Sequence, residues 1–334
     1  MSTSLVSKVL NNREVRISDM KKKQILKIAR ECRYQPRQMK GPAPVRAHKN
    51  LIGLILPSFE FDFLTQLCNV IQQHAHENGF DIIVMNTDED VAQERRCLEI
   101  CRDCGVDGIL LDSCDNHENI DQIKMLIHEG MPIVLVDRYI YDLDCDIVAT
   151  NNFKGSYQLT NSLIEKGHKD ILYVFHGKAM FTTVQNDRFA GYQAAMTEHG
   201  LNSIKEYIYS DRSLKYQPLY HVDNGAKHFT AIVLSTTWDF MRLFELLDLM
   251  NFSPSEKLDV TAFDLFNLPY DAMEKNKIFS RINPEITILQ QDLKTMGVTA
   301  VDFLIDHIKE KNRDKTSPPK QIFLDSKLIT VKGI

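Results

Sequence analysis

Thr3, Ser4, Ser7, Lys8 and Asn11 are four short hydrogen-bonding side chains and one cation. Helical spacing places them together on one face of residues 2–11. Leu5, Val6, Val9 and Leu10 form the opposite, apolar face. Such a helix can rest its back on a small core and present base-reading and phosphate-reading groups to a DNA major groove. That is recognition chemistry, not bond-making chemistry. A second polar set follows apolar runs further along the chain. Arg188 opens a helical stretch, where a core role suits a cation poorly. Asp264 ends the strand-like run Val260-Thr-Ala-Phe, and Thr236 and Thr237 follow the run Ala231-Ile-Val-Leu234. A guanidinium and a carboxylate across a cleft suit a polyol or another ligand with many donors.

Sets that would support catalysis or a metal are weaker. His74 and His76 are two apart on a helix and so face different ways. There is no Gly-rich loop ending in Lys-Ser/Thr and no Gly-x-Ser-x-Gly elbow. Cys97, Cys101 and Cys104 share a helical face without a fourth ligand, which favours a structural role over zinc. We therefore expect no enzyme activity, no cofactor and no metal. The seven cysteines are odd in number and scattered, as reduced thiols in the cytoplasm would be. No apolar run approaches the roughly 18 residues of a membrane span, and no signal peptide is visible.

The charge is unevenly placed. Residues 1–49 hold 13 basic and 3 acidic side chains, and the rest holds 27 and 42, so a +10 arm precedes a −15 body. Only the arm is suited to phosphate. A second helix is expected after the N-cap Ser18, with Ile25, Ile28, Ala29 and Cys32 as its apolar stripe. Residues 37–50 then carry Gly41, Pro42 and Pro44, which oppose helix and make a flexible basic tether.

From Leu51 the pattern is helix, glycine, strand. Strands are expected at 51–56, 80–85, 106–111 and 131–136, with helices at 63–78, 91–104 and 118–129. A second series follows, with helices at 153–166, 184–199 and 238–250 and strands at 171–175, 206–209, 231–234 and 259–263. The runs 321–324 and 328–331 would supply closing strands. Gly79, Gly105, Gly130, Gly167 and Gly200 stand where helices end, because a glycine adopts the left-handed conformation without strain. Continuous apolar strands joined by helices mean α/β architecture, with two doubly wound parallel-sheet lobes and a small all-α N-terminal segment. Ligands of such sheets sit beyond the carboxyl ends of the strands.

Two sets of strings carry a family resemblance. The run Ser2-Thr-Ser-Leu-Val-Ser-Lys-Val-Leu-Asn11, with Val15, Ser18 and Tyr34-Gln-Pro36, resembles the DNA-binding headpiece of LacI/GalR-type repressors. In the body, the strings are Ile52-Gly-Leu-Ile-Leu-Pro57, Val106-Asp-Gly-Ile109, Val134-Leu-Val-Asp-Arg138, Glu165-Lys-Gly-His168, Asp187-Arg-Phe-Ala-Gly-Tyr192 and Thr295-Met-Gly-Val-Thr-Ala300. They resemble the sensor body of the same family and, with it, periplasmic sugar-binding proteins.

The resemblance implies that Thr3, Ser4 and Lys8 face bases and that Ser7 and Asn11 face the backbone. It implies effector contacts at Asp62, Phe63, Leu64, Arg188, Arg212, Thr236, Asp264 and Gln291. Family headpieces carry one further helix before this point, so residues 1–36 read as a partial helix-turn-helix. A start further upstream, a trimmed chain and a naturally headpiece-deficient protein all fit. The family's minor-groove Leu is absent from the tether, where Met39 is the nearest substitute. The expected domains are 1–36 (headpiece), 37–50 (tether), 51–150 plus 292–313 (first lobe) and 151–291 plus 318–334 (second lobe). The expected function is a homodimeric, effector-controlled repressor that binds operator DNA. The expected effector is a sugar or sugar derivative; Arg188 and Arg212 together would suit a sugar phosphate. A ligand-binding protein without an operator and an enzyme are the competing readings.

Overall fold

The computed structural model describes residues 9, 17–31, 49–59, 62–114, 117–176, 182–208, 229–236, 257–264, 280–309 and 318–332. The chain divides into two compact units, Met1–His48 and Lys49–Ile334.

In the first unit, helix α1 spans Asp19–Glu31, with the carbonyl of Ser18 accepting from Lys22 N at 3.0 Å. Val9 and Ile25 are buried, as expected of the two apolar stripes, whereas Ile28 is exposed. The proposed reading residues Thr3, Ser4, Ser7, Lys8 and Asn11 lie outside the described residues.

The second unit is built on two sheets. Its described strands are β1 (Leu51–Leu56), β2 (Asp81–Asn86), β3 (Gly108–Leu111), β4 (Ile133–Val136), β5 (Asp146–Thr150), β6 (Ile171–His176), β7 (Ile204–Ile208), β8 (Ala231–Leu234), β9 (Asp259–Phe263), β10 (Glu285–Gln290), β11 (Gln321–Leu324) and β12 (Lys327–Lys332). Its described helices are α2 (Asp62–Glu77), α3 (Val91–Cys104), α4 (Ile120–His128), α5 (Asn152–Glu165), α6 (Thr183–Glu198) and α7 (Leu293–Lys309). The first sheet runs β11-β5-β4-β3-β1-β2, all parallel. The second runs β12-β10-β9-β8-β6-β7, parallel except for β12.

The two-residue period of a strand sends its side chains to both faces, and helices cover both. Ile55, Ile109 and Leu111 pack with Cys97, Leu98 and Cys101 of α3 and with Ile123 and Leu126 of α4. Ile52, Leu54, Leu56 and Leu110 pack on the other side with Leu67 and Ile71 of α2 and with Met296, Leu304 and Ile308 of α7. Cys97 and Cys101 are therefore core residues, while Cys104 is exposed. Gly53 is required where α3 crosses β1, since a Cβ there would overlap Sγ of Cys101. Helix α3 is closed by Asp90, which accepts from Gln93 N at 2.9 Å, and by Gly105 at φ 65°.

Several elements differ from the sequence reading. β5 and β10 were not expected. β7 begins two residues early, and the helix expected at 238–250 lies outside the described residues. The final stretch does not all join the second lobe, because β11 pairs with β5 in the first sheet and only β12 pairs with β10. The chain thus passes between lobes after β5, after β10 and between β11 and β12. These crossings are tied together: Asn151 N donates to Leu324 O at 2.9 Å, and Thr150 Oγ1 donates to Oε1 of Gln291 at 2.5 Å.

Candidate functional site

The polar residues of the second unit gather at the carboxyl ends of the parallel strands. In the second lobe the centre is Arg188 on α6, which is only 4% exposed. Its Nε donates to Oδ1 of Asn152 at 2.7 Å and its Nη1 to the carbonyl of Ser235 at 2.6 Å. The guanidinium lies 3.7 Å above the centre of the Phe263 ring. Burial lowers its pKa below the usual arginine value, against the opposing pull of Asp137 and Asp264.

Asp264 follows β9 with φ 55°. Its carboxylate accepts from the backbone N of Gln291 at 3.1 Å and from Nε2 of the same residue. Burial pushes its carboxyl up to about 6, although Arg188 and the Gln291 bonds favour the charged form.

The first lobe contributes a second charged group. Arg138, just past β4, forks onto Glu89 with two bonds of 2.9 Å. Burial works against its charge, but Glu89 and then Asp112 outweigh that and raise its pKa. Nε of Arg138 lies 3.7 Å from Oδ1 of Asp112, beyond hydrogen-bond distance. Asp112 is fully buried at the end of β3, and neither of its oxygens has a hydrogen-bond partner. Burial raises its pKa well above the usual carboxylate range, against the pull of Arg138. Asp137 is buried beside it at φ 62°, with Oδ1 unpartnered. Burial raises its pKa too, while Arg188 and Arg138 pull it down.

The loops that hold these groups are constrained. Five non-glycine residues among those described have positive φ; Asp88, Glu89, Asp137 and Asp264 are four of them. Backbone of this kind persists where surrounding contacts enforce it, and it concentrates at binding sites. The buried Glu94 of α3 accepts from Ser113 Oγ at 3.0 Å, Cys114 N at 2.7 Å and Asn119 Nδ2 at 2.9 Å. It thereby fixes the loop that starts with Asp112. The two lobes also touch directly. Thr183 Oγ1 accepts from Tyr139 N at 3.1 Å and donates to Tyr139 O at 3.0 Å. The phenols of Tyr139 and Tyr141 both donate to Asp187, at 2.6 and 3.1 Å.

Of the residues chosen from sequence, the fold brings Arg188, Asp264 and Gln291 together. Thr236 is half-buried and follows Ser235, the residue that Arg188 binds. Asp62 and Phe63 are half-buried at the start of α2, beyond β1, and Leu64 is buried. Arg212 and Thr237 lie outside the described residues. Sequence reasoning missed Glu89, Asp112, Asp137, Arg138, Asn152 and Gln185. The rule of looking just past strand ends would have found Asp112, Asp137 and Arg138. Glu89 and Asn152 became visible only through the partners they hold.

Comparison with known proteins agrees with this architecture. Residues 49–216 match the family described as periplasmic binding proteins and sugar binding domain of LacI family, and residues 160–330 match the periplasmic binding protein-like domain. The HTH-type transcriptional regulator RegA of Clostridium saccharobutylicum is 29% identical over 320 residues, covering 94% of this chain and 91% of its own. The HTH-type transcriptional repressor PurR of Pasteurella multocida is 25% identical with the same coverage. Among solved structures, Cra of Pseudomonas putida in complex with fructose 1-phosphate superposes with a TM-score of 0.67 at 18% identity, over 86% of this chain and 100% of that one. The transcriptional regulator CelR in complex with cellobiose gives 0.64 at 18% identity, over 98% and 94%. With the fold, the strand-end site and the matches to both halves of the body in hand, the chain belongs to the LacI/GalR family of transcriptional regulators, and its sensor body has the periplasmic-binding-protein fold.

Proposed function

We propose that the protein is a homodimeric repressor whose operator affinity is set by a small polyhydroxylated effector bound between the two lobes. The carrying observation is the ordered set of Arg188, Asp264 and Gln291, tied through Thr150 to the strands that cross between lobes. An effector gripped by Arg188 and Asp264 favours one lobe arrangement over another by its differential affinity. The relatives' carbohydrate complexes support a sugar or sugar derivative as the ligand class. Operator contacts belong in this reading to Thr3, Ser4, Ser7, Lys8 and Asn11, and effector contacts to Asp62, Phe63, Leu64, Arg212 and Thr236 beside the central three.

The test is operator selection from a random DNA pool with the full chain, followed by binding measurements with and without candidate sugars. A salt-dependent, sequence-specific complex that a sugar weakens or strengthens at least tenfold is expected. Arg188→Met should abolish the sugar response and leave DNA binding intact, whereas Lys8→Ala should do the reverse. Ligand binding without any selected operator would favour a sensor that works without DNA.

A further inference from the structure

At the cleft end of the sheets, charge does not balance among the described residues. Glu89, Asp112, Asp137 and Asp264 bring four carboxylates, against the two guanidiniums of Arg138 and Arg188. Arg138 is occupied by its fork on Glu89. Arg188 has its Nε and Nη1 on Asn152 and Ser235, and its charge is shared between Asp137 and Asp264. Neither cation offers a free fork to a phosphate. What remains without a hydrogen bond is a set of acceptors: both oxygens of Asp112, Oδ1 of Asp137 and Oε1 of Gln185.

Two of these acceptor residues follow neighbouring strands of the first sheet, and the third stands on the helix that carries Arg188. Asp112 and Asp137 follow β3 and β4, which are neighbours in the first sheet. Leu111 pairs with Leu135, so Asp112 stands level with Val136 and Asp137 one residue further on, near enough for its charge to act on Asp112. Gln185 is three residues before Arg188 on α6 and shares its helix face. Asp137 and Arg188 attract each other across the lobes. Asp112 is also held rigidly: its N donates to Ile55 O at 3.0 Å, and Glu94 anchors the two residues after it. Asp112 has Nε of Arg138 at 3.7 Å and no hydrogen bond, and a buried carboxylate so held is costly unless a further donor or a proton meets it.

We infer that Asp112, with Asp137 and Gln185, forms an acceptor wall of the effector cleft that takes a ligand bearing a protonated amino group, such as an amino sugar. This rests on the proposed reading of the cleft as an effector site. In the free protein burial, with Asp137 and Glu89 beside it, favours the protonated form of Asp112 against the pull of Arg138. An ammonium group replaces that proton, which leaves to solvent as the ligand binds. Binding of the amine is therefore accompanied by proton release, and binding of a neutral sugar is not.

The experiment uses the full chain and matched sets of glucosamine, glucose, N-acetylglucosamine and glucose 6-phosphate, with the galactose and ribose equivalents. Thermal shift ranks the members, and calorimetry in two buffers of different ionisation enthalpy counts protons. At least one amino member should bind tenfold or more tightly than its neutral counterpart and release a proton near pH 7. Asp112→Asn should keep its fold and lose that preference; if it does not fold, Asp137→Asn carries the same expectation at a position where Asn tolerates positive φ. Preference for a neutral or phosphorylated member, persistence of the amine preference in the variant, or binding without proton release each overturns the charge assignment and leaves the cleft as the effector site. Failure of every member overturns the assignment and the carbohydrate reading together.

Discussion

The phenol of Tyr139 donates to Oδ2 of Asp187 at 2.6 Å, and this bond joins the loop after β4 in one lobe to α6 in the other. Tyr141 adds a second bond to the same carboxylate, and Thr183 pairs with both backbone groups of Tyr139. The lobes are therefore latched by residues outside the set of Arg188, Asp264 and Gln291. Burial raises the pKa of Asp187, while the two phenols favour its charged form. Burial and then the carboxylate raise that of Tyr141 to about 12, so the phenol remains a donor at neutral pH.

The latch makes a prediction about lobe closure. Hydrogen bonds to a charged acceptor contribute about 1.5–3 kcal/mol each. Asp187→Asn should move spin labels placed on α2 and α6 to longer mean separation and weaken effector binding by about tenfold. A double-mutant cycle with Tyr139→Phe should give a coupling of about 1–2 kcal/mol. Unchanged label distances together with zero coupling would show that the bond is incidental to closure.

Arg188 and Asp264 should titrate as a linked pair. The guanidinium favours the ionised carboxylate, so removing it should raise the Asp264 pKa beyond its present value of about 6. Carbon-detected NMR of the Asp264 carboxyl in wild type and Arg188→Met measures this directly. Arg188→Lys should restore part of the shift but not effector affinity, because an ammonium cannot reproduce the bonds to Asn152 and Ser235 while stacking on Phe263. A fall in the Asp264 pKa on loss of Arg188 would contradict the arrangement.

The same carboxyl predicts a pH dependence of stability. Its folded pKa of about 6 lies above the ordinary value of 3.8, so the folded state binds the proton more tightly. The contribution is fully present below the unfolded pKa and is lost as pH rises through the folded one. By pH 7 the difference amounts to about 3 kcal/mol at most. Denaturation of wild type and Asp264→Asn from pH 4 to 7 should show the wild type losing stability relative to the variant. A constant difference across that range would mean that Asp264 is not raised.

Much of the body was legible because parallel strands covered on both faces are continuous apolar runs, as in Leu51–Leu56 and Ala231–Leu234. Asp146–Thr150 was missed because it is short and begins and ends in polar residues, which is also how a loop reads. The placement of Gln321–Leu324 could not be read locally, since joining β5 depends on a pairing across more than 170 residues. Asp264 was found because it stands where a strand ends, and Arg188 because a cation among the first turns of a helix suits a core poorly, although it lies in the second turn of α6 and is buried. Asp112 satisfies the strand-end rule too, but its importance lies in having no hydrogen-bond partner, and partners are a property of the fold. Glu94 was invisible for the converse reason: a carboxylate in a helix looks solvated until the loop it holds is seen.

Arg188 and Asn152 stand on a pair of packed helices, α6 and α5. Helices α5 and α6 pack so closely at Gly191 that a Cβ there would overlap the carbonyl oxygen of Phe153 and crowd the backbone N of Tyr157. Backbone atoms cannot swing aside as a flexible side chain can, so Gly191→Ala must push the helices apart. Overpacking of this kind costs about 1–3 kcal/mol. Separation at that point should also lengthen the 2.7 Å bond from Arg188 to Asn152, which bridges the same two helices. We expect Gly191→Ala to lower the thermal midpoint and to weaken effector binding together. Gly79→Ala, at φ 81° with open space around it, should show only the stability loss that its backbone conformation imposes. A Gly191→Ala protein with wild-type stability would mean that the helices are not in contact at this point.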